Sequence, residues 1–428
     1  MSSNNQKSES SKEGWVKVRF DQMAENIADH IDIPSKSGYE RFVGGDHLDS
    51  ECLRIKRWGS TNDVDAQKLL FKKGHILFGK RNAYLRKVAY ADFDGVCSAH
   101  MMVLKMKTEF VDERFFPFFM QTDQFWDRAD MISEGSMSPT IKWKTLAKQE
   151  FIIPPKNKQR RIADILWAAE DYIVKSEKLA DETELYKKIL MNELFIKGIG
   201  HKVFRDTEIG RIPMEWEVVM LGDEKYFTIV SGGTPDTNNK SYWENGNIFW
   251  ATPTDITSLK NILIKETHRK ISKKGLENSS AKLLPIGTVL MTSRATIGEV
   301  CINEIPMCTN QGFQSFICMD KVNNIFLLNS LKFNKNRINR LGGKSTFMEV
   351  TKSSLRTFKI SLPPLPEQLR IAEIISKVDD TIHKSLDNIN KIKALKKMLI
   401  NQFFNGGLET AVSINPRAKQ LYETQVSE

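Results

Sequence analysis

Arg81 and Arg294 each stand just after a short β-prone run, Ile76-Leu77-Phe78 and Val289-Leu290-Met291. The two stretches resemble one another, Gly74-His75-Ile76-Leu77 against Gly287-Thr288-Val289-Leu290. A guanidinium at a loop tip suits a phosphate or the edge of a guanine, because its planar fork donates two parallel hydrogen bonds. Lys80 and Ser293 adjoin the two arginines, and Lys142, Lys144, Lys344, Ser345 and Lys352 lie in the stretches ahead of two proline clusters. Asn310 and Gln311 carry amides of the kind that reads adenine, although both types are as common in turns. These residues are the candidate contacts to DNA; each type is also ordinary on a solvated surface.

Other chemistry is missing from the sequence. There is no Gly-x-x-x-x-Gly-Lys-Ser/Thr phosphate loop, no Gly-x-Gly-x-x-Gly after a strand, no Gly-x-Ser-x-Gly and no His-Glu-x-x-His. The Asn/Asp-Pro-Pro-aromatic motif that holds a flipped adenine in amino-methyltransferases is absent, since the two Pro-Pro pairs follow Ile153 and Leu362. Asp92 with Asp94, and Asp379 with Asp380, are the spacing of solvated carboxylates rather than of an acid–base pair. The five cysteines include no Cys-x-x-Cys and do not cluster with the seven histidines, so reduced structural thiols and no metal are expected. Met1 to Ser11 is polar, and no run of about 18 apolar residues occurs, which predicts a cytoplasmic chain that neither crosses nor enters a membrane. With 40% hydrophobic and 27% charged residues the 428-residue chain folds into two or three domains. Its net charge of +10 is uneven: residues 213–363 hold 19 basic and 13 acidic side chains, a net of +6, whereas 14–153 hold 21 and 20. A non-catalytic binding or assembly protein with an anionic partner is expected.

The elements that must position these residues come in duplicate. Residues 154–198 align with 363–407 at a constant offset of 209, without gaps, and 17 of 45 positions are identical. Pro154-Pro155, Gln159 and Arg161-Ile162-Ala163 recur as Pro363-Pro364, Gln368 and Arg370-Ile371-Ala372. Each segment starts after prolines, ends in glycine at Gly198 or Gly406-Gly407, and carries neither residue type in its interior beyond its first turn. Apolar residues recur three and four apart: Ile162, Ile165, Leu166, Ile173 and Leu179 in the first, and Ile371, Ile374, Ile375, Val378, Ile382, Ile392 and Leu395 in the second. Both segments are therefore long helices. About 40 residues at 1.5 Å per residue make a rod of about 60 Å, too long to be covered by one domain. The other helix, packed antiparallel, is its natural partner, so these residues are the candidate spacer and docking positions.

The expected fold class is α+β: two mixed globular parts joined by two long antiparallel helices, with a pseudo-twofold internal repeat. Residues 1–13 form a polar extension, 14–155 the first globular part, 156–198 the first helix, 199–212 a linker, 213–363 the second globular part, 364–407 the second helix and 408–428 a tail. Two diverged heads on a rigid spacer suit double-stranded DNA read in two half-sites about one helical turn apart. A protein-only assembly adaptor, with incidental basic charge, is the alternative.

Several strings carry a resemblance: Leu362-Pro363-Pro364-Leu365-Pro366-Glu367-Gln368 with Arg370-Ile371-Ala372, its counterpart Ile153-Pro154-Pro155 with Gln159 to Ala163, Phe204-Arg205-Asp206-Thr207-Glu208-Ile209-Gly210-Arg211-Ile212-Pro213 leading to Trp216, and Ser231-Gly232-Gly233-Thr234-Pro235 with Tyr242 and Trp250. Over about residues 14–407 the chain resembles the specificity subunits of type I restriction-modification systems. The resemblance implies a chain with no catalytic centre and no cofactor of its own, whose two target-recognition domains read a split, asymmetric DNA site. It also implies two modification subunits that methylate adenine with S-adenosylmethionine, docked on the helices, and restriction subunits that use ATP and Mg2+. The first copy departs from the pattern at Lys156-Asn157-Lys158, where Leu-Pro-Glu stands in the second.

Overall fold

The structure, a computed structural model, describes residues 14–259, 261–343 and 348–405. The expected extension 1–13, the tail 408–428, the glycine stop Gly406-Gly407, Lys344 and Ser345 lie outside the described residues. The chain divides into two compact units, one running to Leu179 and resuming at Ser385, the other Ala180–Lys384. Each unit takes one globular part and a portion of both long helices.

In the first unit, Val16–Arg19 pairs antiparallel with Glu150–Ile153 and closes the globular part just before the first helix. An antiparallel four-stranded sheet has the order Ala24–Ile27, Met101–Met106, Ile76–Gly79, Val88–Tyr90. A five-stranded sheet follows the order His30–Ile31, Lys68–Phe71, Gly95–Cys97, Arg41–Val43, Gly59–Ser60, with only the Gly95–Cys97 and Arg41–Val43 pair parallel. Ile76, Leu77 and Phe78 are all buried, as a strand covered on both faces must be. Phe115, Phe116, Phe118 and Phe119 are fully buried with Phe20, Phe125 and Trp126, so that aromatic run is core. Each such ring contributes about 1.5–3 kcal/mol by leaving water.

The second unit repeats the plan. Glu217–Met220 pairs with Lys359–Leu362, a five-stranded sheet runs Phe227–Ser231, Phe313–Cys318, Val289–Thr292, Val300–Asn303, Leu263–Ile264, and a three-stranded one runs Arg269–Ile271, Ile248–Ala251, Met307–Thr309. Here too the strand before the last turn is parallel to its neighbour, Trp250 facing Cys308.

The long helices are Lys156–Ile196 and Leu365–Asn405. They begin at equivalent residues, so the Lys156-Asn157-Lys158 departure does not move the start. The shared glutamine explains the motif. Buried Gln159 donates to the carbonyls of Phe110 and Pro154 and accepts from Asp112 N at 2.6 Å. Gln368 donates to Lys321 and Pro363 and accepts from Asn323 N at 2.9 Å. In both copies one amide satisfies three backbone groups that would otherwise be buried without partners.

Within the first unit the helices run antiparallel: Glu170 pairs with Lys396 and Glu177 with Lys393. Within the second, Lys187 pairs with Asp379, the same pair with the two helices exchanged, and Leu194 and Phe195 share a core with Ile371 and Ile375. The fold class is thus the mixed, duplicated one with two long antiparallel helices that the repeat leads one to expect. The cysteines Cys52, Cys97, Cys301, Cys308 and Cys318 are free. Burial pushes the thiols of Cys97, Cys301 and Cys318 up to about 12, which keeps them protonated and inert.

Candidate nucleic-acid interface

Three loops meet at the same place in each unit. The first carries the arginine. In the first unit the strand Ile76–Gly79 runs into Lys80-Arg81-Asn82; Ile141 N donates to Lys80 O and Asn82 N to Pro139 O, both at 2.8 Å, and Arg81 forms a bridge with Thr140. In the second unit Val350 N donates to Ser293 O at 2.9 Å, and Arg294 bridges to Glu349. The residue after each arginine is left-handed, Asn82 at φ 54° and Ala295 at φ 56°. Asparagine tolerates that conformation, whereas alanine pays about 1–2 kcal/mol. The chain therefore holds the same turn twice, once against a steric cost.

The second loop lies between the parallel strand and the next one: Ser98-Ala99-His100 and Asn310-Gln311-Gly312. Ser98 N donates to Val43 O and Asn310 N to Ala251 O, so the two turns leave their sheets alike. His100 Nε2 lies 3.2 Å from Arg81 Nη1, and Ser293 N donates to Gly312 O at 2.7 Å. Asn310 and Gln311 are thus brought beside Ser293-Arg294. Asn310 Oδ1 accepts from Gly312 N within its own turn, and Gln311 Oε1 accepts from Thr234 Oγ1. Gly232 and Gly233 donate to Phe313 O and Thr309 O. A Cβ on Gly232 would sit 1.8 Å from Asn310 O, which is why the Gly-Gly pair precedes Thr234.

The third loop precedes the closing strand. Lys142 immediately precedes the short helix Trp143–Leu146, and Lys352 opens the equivalent helix Lys352–Arg356. Lys142 Nζ is paired with Glu134 at 2.6 Å. Lys144 and Lys352 are exposed and hold no ion pair among the described residues. Ser293 is fully buried, and its hydroxyl has no hydrogen-bond partner; its backbone shapes the loop, and its side chain faces the interior.

Electrostatics separate the two copies. Among the described residues no carboxylate pairs with Lys80, Arg81 or His100, although Lys142 of the third loop is held by Glu134. Burial, then the Arg81 charge, hold Lys80 below its ordinary value. Burial, then Arg81, Lys80 and Lys68, hold His100 below the usual histidine range. Concentrated positive charge of this kind favours an anion. In the second unit Arg294 Nη2 lies 2.8 Å from Glu349 Oε1. That pair between two loops presents donors and an acceptor together, the complement of a G·C edge.

His100, Glu349, Asn82 and Ala295 escaped the sequence reading. The offset of 213 that matches the arginines also matches the two left-handed residues, a signal available without the fold. Glu349 gives none, because its pairing with Arg294 joins separate loops.

The helix positions mostly serve the core. Ile162, Ile165, Leu166 and Ile173 are buried in the first unit, and Ile371, Ile375 and Ile382 in the second. Ile374 and Leu395 pack partly buried against those cores, Val378 and Ile392 are half-buried, and Leu179 is 60% exposed. Apolar side chains left in solvent on these helices include Tyr172, Leu386 and Met398 in the first unit and Leu185, Tyr186 and Ile189 in the second. Among the described residues no His, Cys, Asp and Glu group suits a metal ion, and no helix is long and apolar enough to cross a membrane.

A family model, the type I restriction modification DNA specificity domain, matches residues 13–185 and 213–394. The chain is 37% identical over 204 residues to the type I restriction enzyme MjaIX specificity subunit of Methanocaldococcus jannaschii, covering 47% of this chain and 46% of that protein. It is 21% identical over 462 residues to the type I restriction enzyme HindI specificity subunit of Haemophilus influenzae, covering 92% and 99%. The chain spans 61% and 46% of the first two curated relatives it matches, both from Methanocaldococcus jannaschii. Among solved structures it shares its fold with the type I restriction-modification S subunit from M. genitalium, at TM-score 0.57 and 14% identity over 91% of this chain and 96% of that one. A second, from a study of assembly and conformational transition of the type I system, gives TM-score 0.58 at 21% identity over 92% and 99%.

Proposed function

The chain belongs to the type I restriction modification DNA specificity domain family, and from that premise we propose that it is a non-catalytic subunit that reads a split, asymmetric DNA target. The observation that carries this reading is the duplicated three-loop site. Arg81 and Arg294 stand at one place in two units of the same plan, each held by a backbone bond from the third loop and followed by a left-handed residue. The neighbours differ, His100 in one and Glu349 in the other, so the two half-sites differ. In this reading Lys80, Arg81, Lys142, Lys144, Arg294, Gln311 and Lys352 face DNA.

The long helices set the half-site separation and dock two modification subunits, which supply S-adenosylmethionine-dependent adenine methylation; restriction subunits supply ATP- and Mg2+-dependent cleavage. The exposed Tyr172, Leu185, Tyr186 and Ile189 support docking on these helices, since apolar side chains left in water on a long helix await a partner. The test is methylome sequencing of cells carrying a modification subunit with and without this chain. N6-methyladenine at one two-part motif with a fixed spacer is expected only with the chain. An intact complex that produces no methylation and binds no DNA would leave a protein-only adaptor.

A further inference from the structure

A second cationic feature recurs in both units, on the strands that adjoin the second loop. In the first unit the Arg41 guanidinium lies 4.2 Å from the Trp58 ring centre and 4.6 Å from that of Phe93. In the second, Arg269 lies 3.8 Å from the Trp243 ring and 5.3 Å from that of Trp250. Both sit on the same strand pair of the plan, the strand parallel to the one entering the second loop and its antiparallel neighbour. The parts are exchanged. Arg41 is on the inner strand and stacks on Trp58, next to the outer strand Gly59–Ser60; Arg269 is on the outer strand and stacks on Trp250 of the inner one. A further cation lies over an aromatic of the inner strand in each unit, Lys68 over Phe42 and Lys270 over Phe249.

Among the described residues most arginines that touch a side chain are neutralised: Arg19, Arg54, Arg57, Arg86, Arg114, Arg160, Arg294 and Arg356 pair with carboxylates. Among the described residues neither the Arg41 nor the Arg269 guanidinium has a hydrogen bond or a carboxylate partner. Of the two acids that flank Phe93, Asp94 is taken up by Lys72 and by Lys73 N, and Asp92 is exposed. Stacking holds the plane of the guanidinium and leaves its edge donors open, a fork ready for a bidentate oxyanion. The arrangement is built from different residues in two diverged domains, so inheritance of one residue does not account for it. What two different half-sites have in common is the phosphodiester backbone.

We propose that Arg41 and Arg269 are pre-organised phosphate contacts, one beside each half-site; the proposal rests on the DNA-reading function above. The test uses the intact complex with modification subunits, a duplex carrying the methylated motif, and a shuffled duplex, titrated across a series of salt concentrations. Arg41→Gln and Arg269→Gln are each expected to flatten the plot of log affinity against log salt by about one unit and to weaken both duplexes by the same factor. Arg41→Lys and Arg269→Lys, which keep the charge, are expected to retain the wild-type slope, and serve where a glutamine variant fails to assemble. Unchanged slopes in the glutamine variants, while Arg81→Ala still flattens its own, would overturn the proposal and leave the function standing. A changed methylation motif at one half-site would also overturn it, by making the arginine a base reader. A wild-type complex with no salt-dependent binding would overturn the function and the proposal together.

Discussion

Arg81 and Arg294 are matched in place and unmatched in company, and their behaviour should differ accordingly. Replacing either by alanine is expected to flatten the salt dependence of DNA binding by about one unit in the assembled complex, read by titration at several salt concentrations. Glu349→Gln frees Arg294 from its carboxylate, so it is expected to steepen that dependence on a shuffled duplex and to relax preference at one base pair of the second unit's half-site. His100 gives a pH signature. Its folded value lies below the ordinary 6.5 because of burial and then Arg81, Lys80 and Lys68, so the ring is neutral at pH 7 and above. A bound phosphate favours the charged ring, hence affinity should rise as pH falls through the ordinary histidine range and be flat above it. For folding the sign is opposite: protonation is disfavoured in the folded state, so a stability cost appears only below about pH 6.5. Binding measured across that range, with His100→Gln losing the rise, checks this. The arginines were legible from the repeat, because they follow matching strands; His100 and Glu349 were not, because their partners arrive from other loops.

At the scale of elements, the repeated glutamine and the charged pair between the helices decide more than the apolar stripe does. Gln368→Leu would leave Asn323 N and the carbonyls of Lys321 and Pro363 without partners. A loss of about 1–3 kcal/mol in chemical denaturation is expected, and the same for Gln159→Leu. Lys396 and Glu170 are 6% and 3% exposed, so Lys396→Met strands a buried carboxylate that only the neutral donors Leu53 N and the Cys52 thiol still meet. A loss of about 3–5 kcal/mol is expected. The more exposed Lys187–Asp379 pair should cost less when Lys187 is replaced, a contrast that denaturation of the two variants reads directly. The helices themselves were legible from proline, glycine and apolar spacing. Which apolar residues face a core and which face water was not, since Ile162 and Leu179 lie on one periodic stripe yet differ from 1% to 60% exposure.

For the whole molecule, lengthening both helices by about four residues, near Leu179 and Asn388, is expected to change the spacer tolerated between methylated half-sites; an unchanged spacer would sink the ruler function of the helices. The duplication, the mixed α+β class, the two long helices and the family resemblance all follow from the amino-acid order alone, because repeat, period and breaker are properties of neighbours along the chain. Tertiary structure decided the rest. It turned Ser293 inward, set Glu349 against Arg294 across 55 residues, and stacked Arg41 and Arg269 on rings from a neighbouring strand or loop. Those contacts depend on sheet register and loop closure, which bring together residues that no local pattern relates.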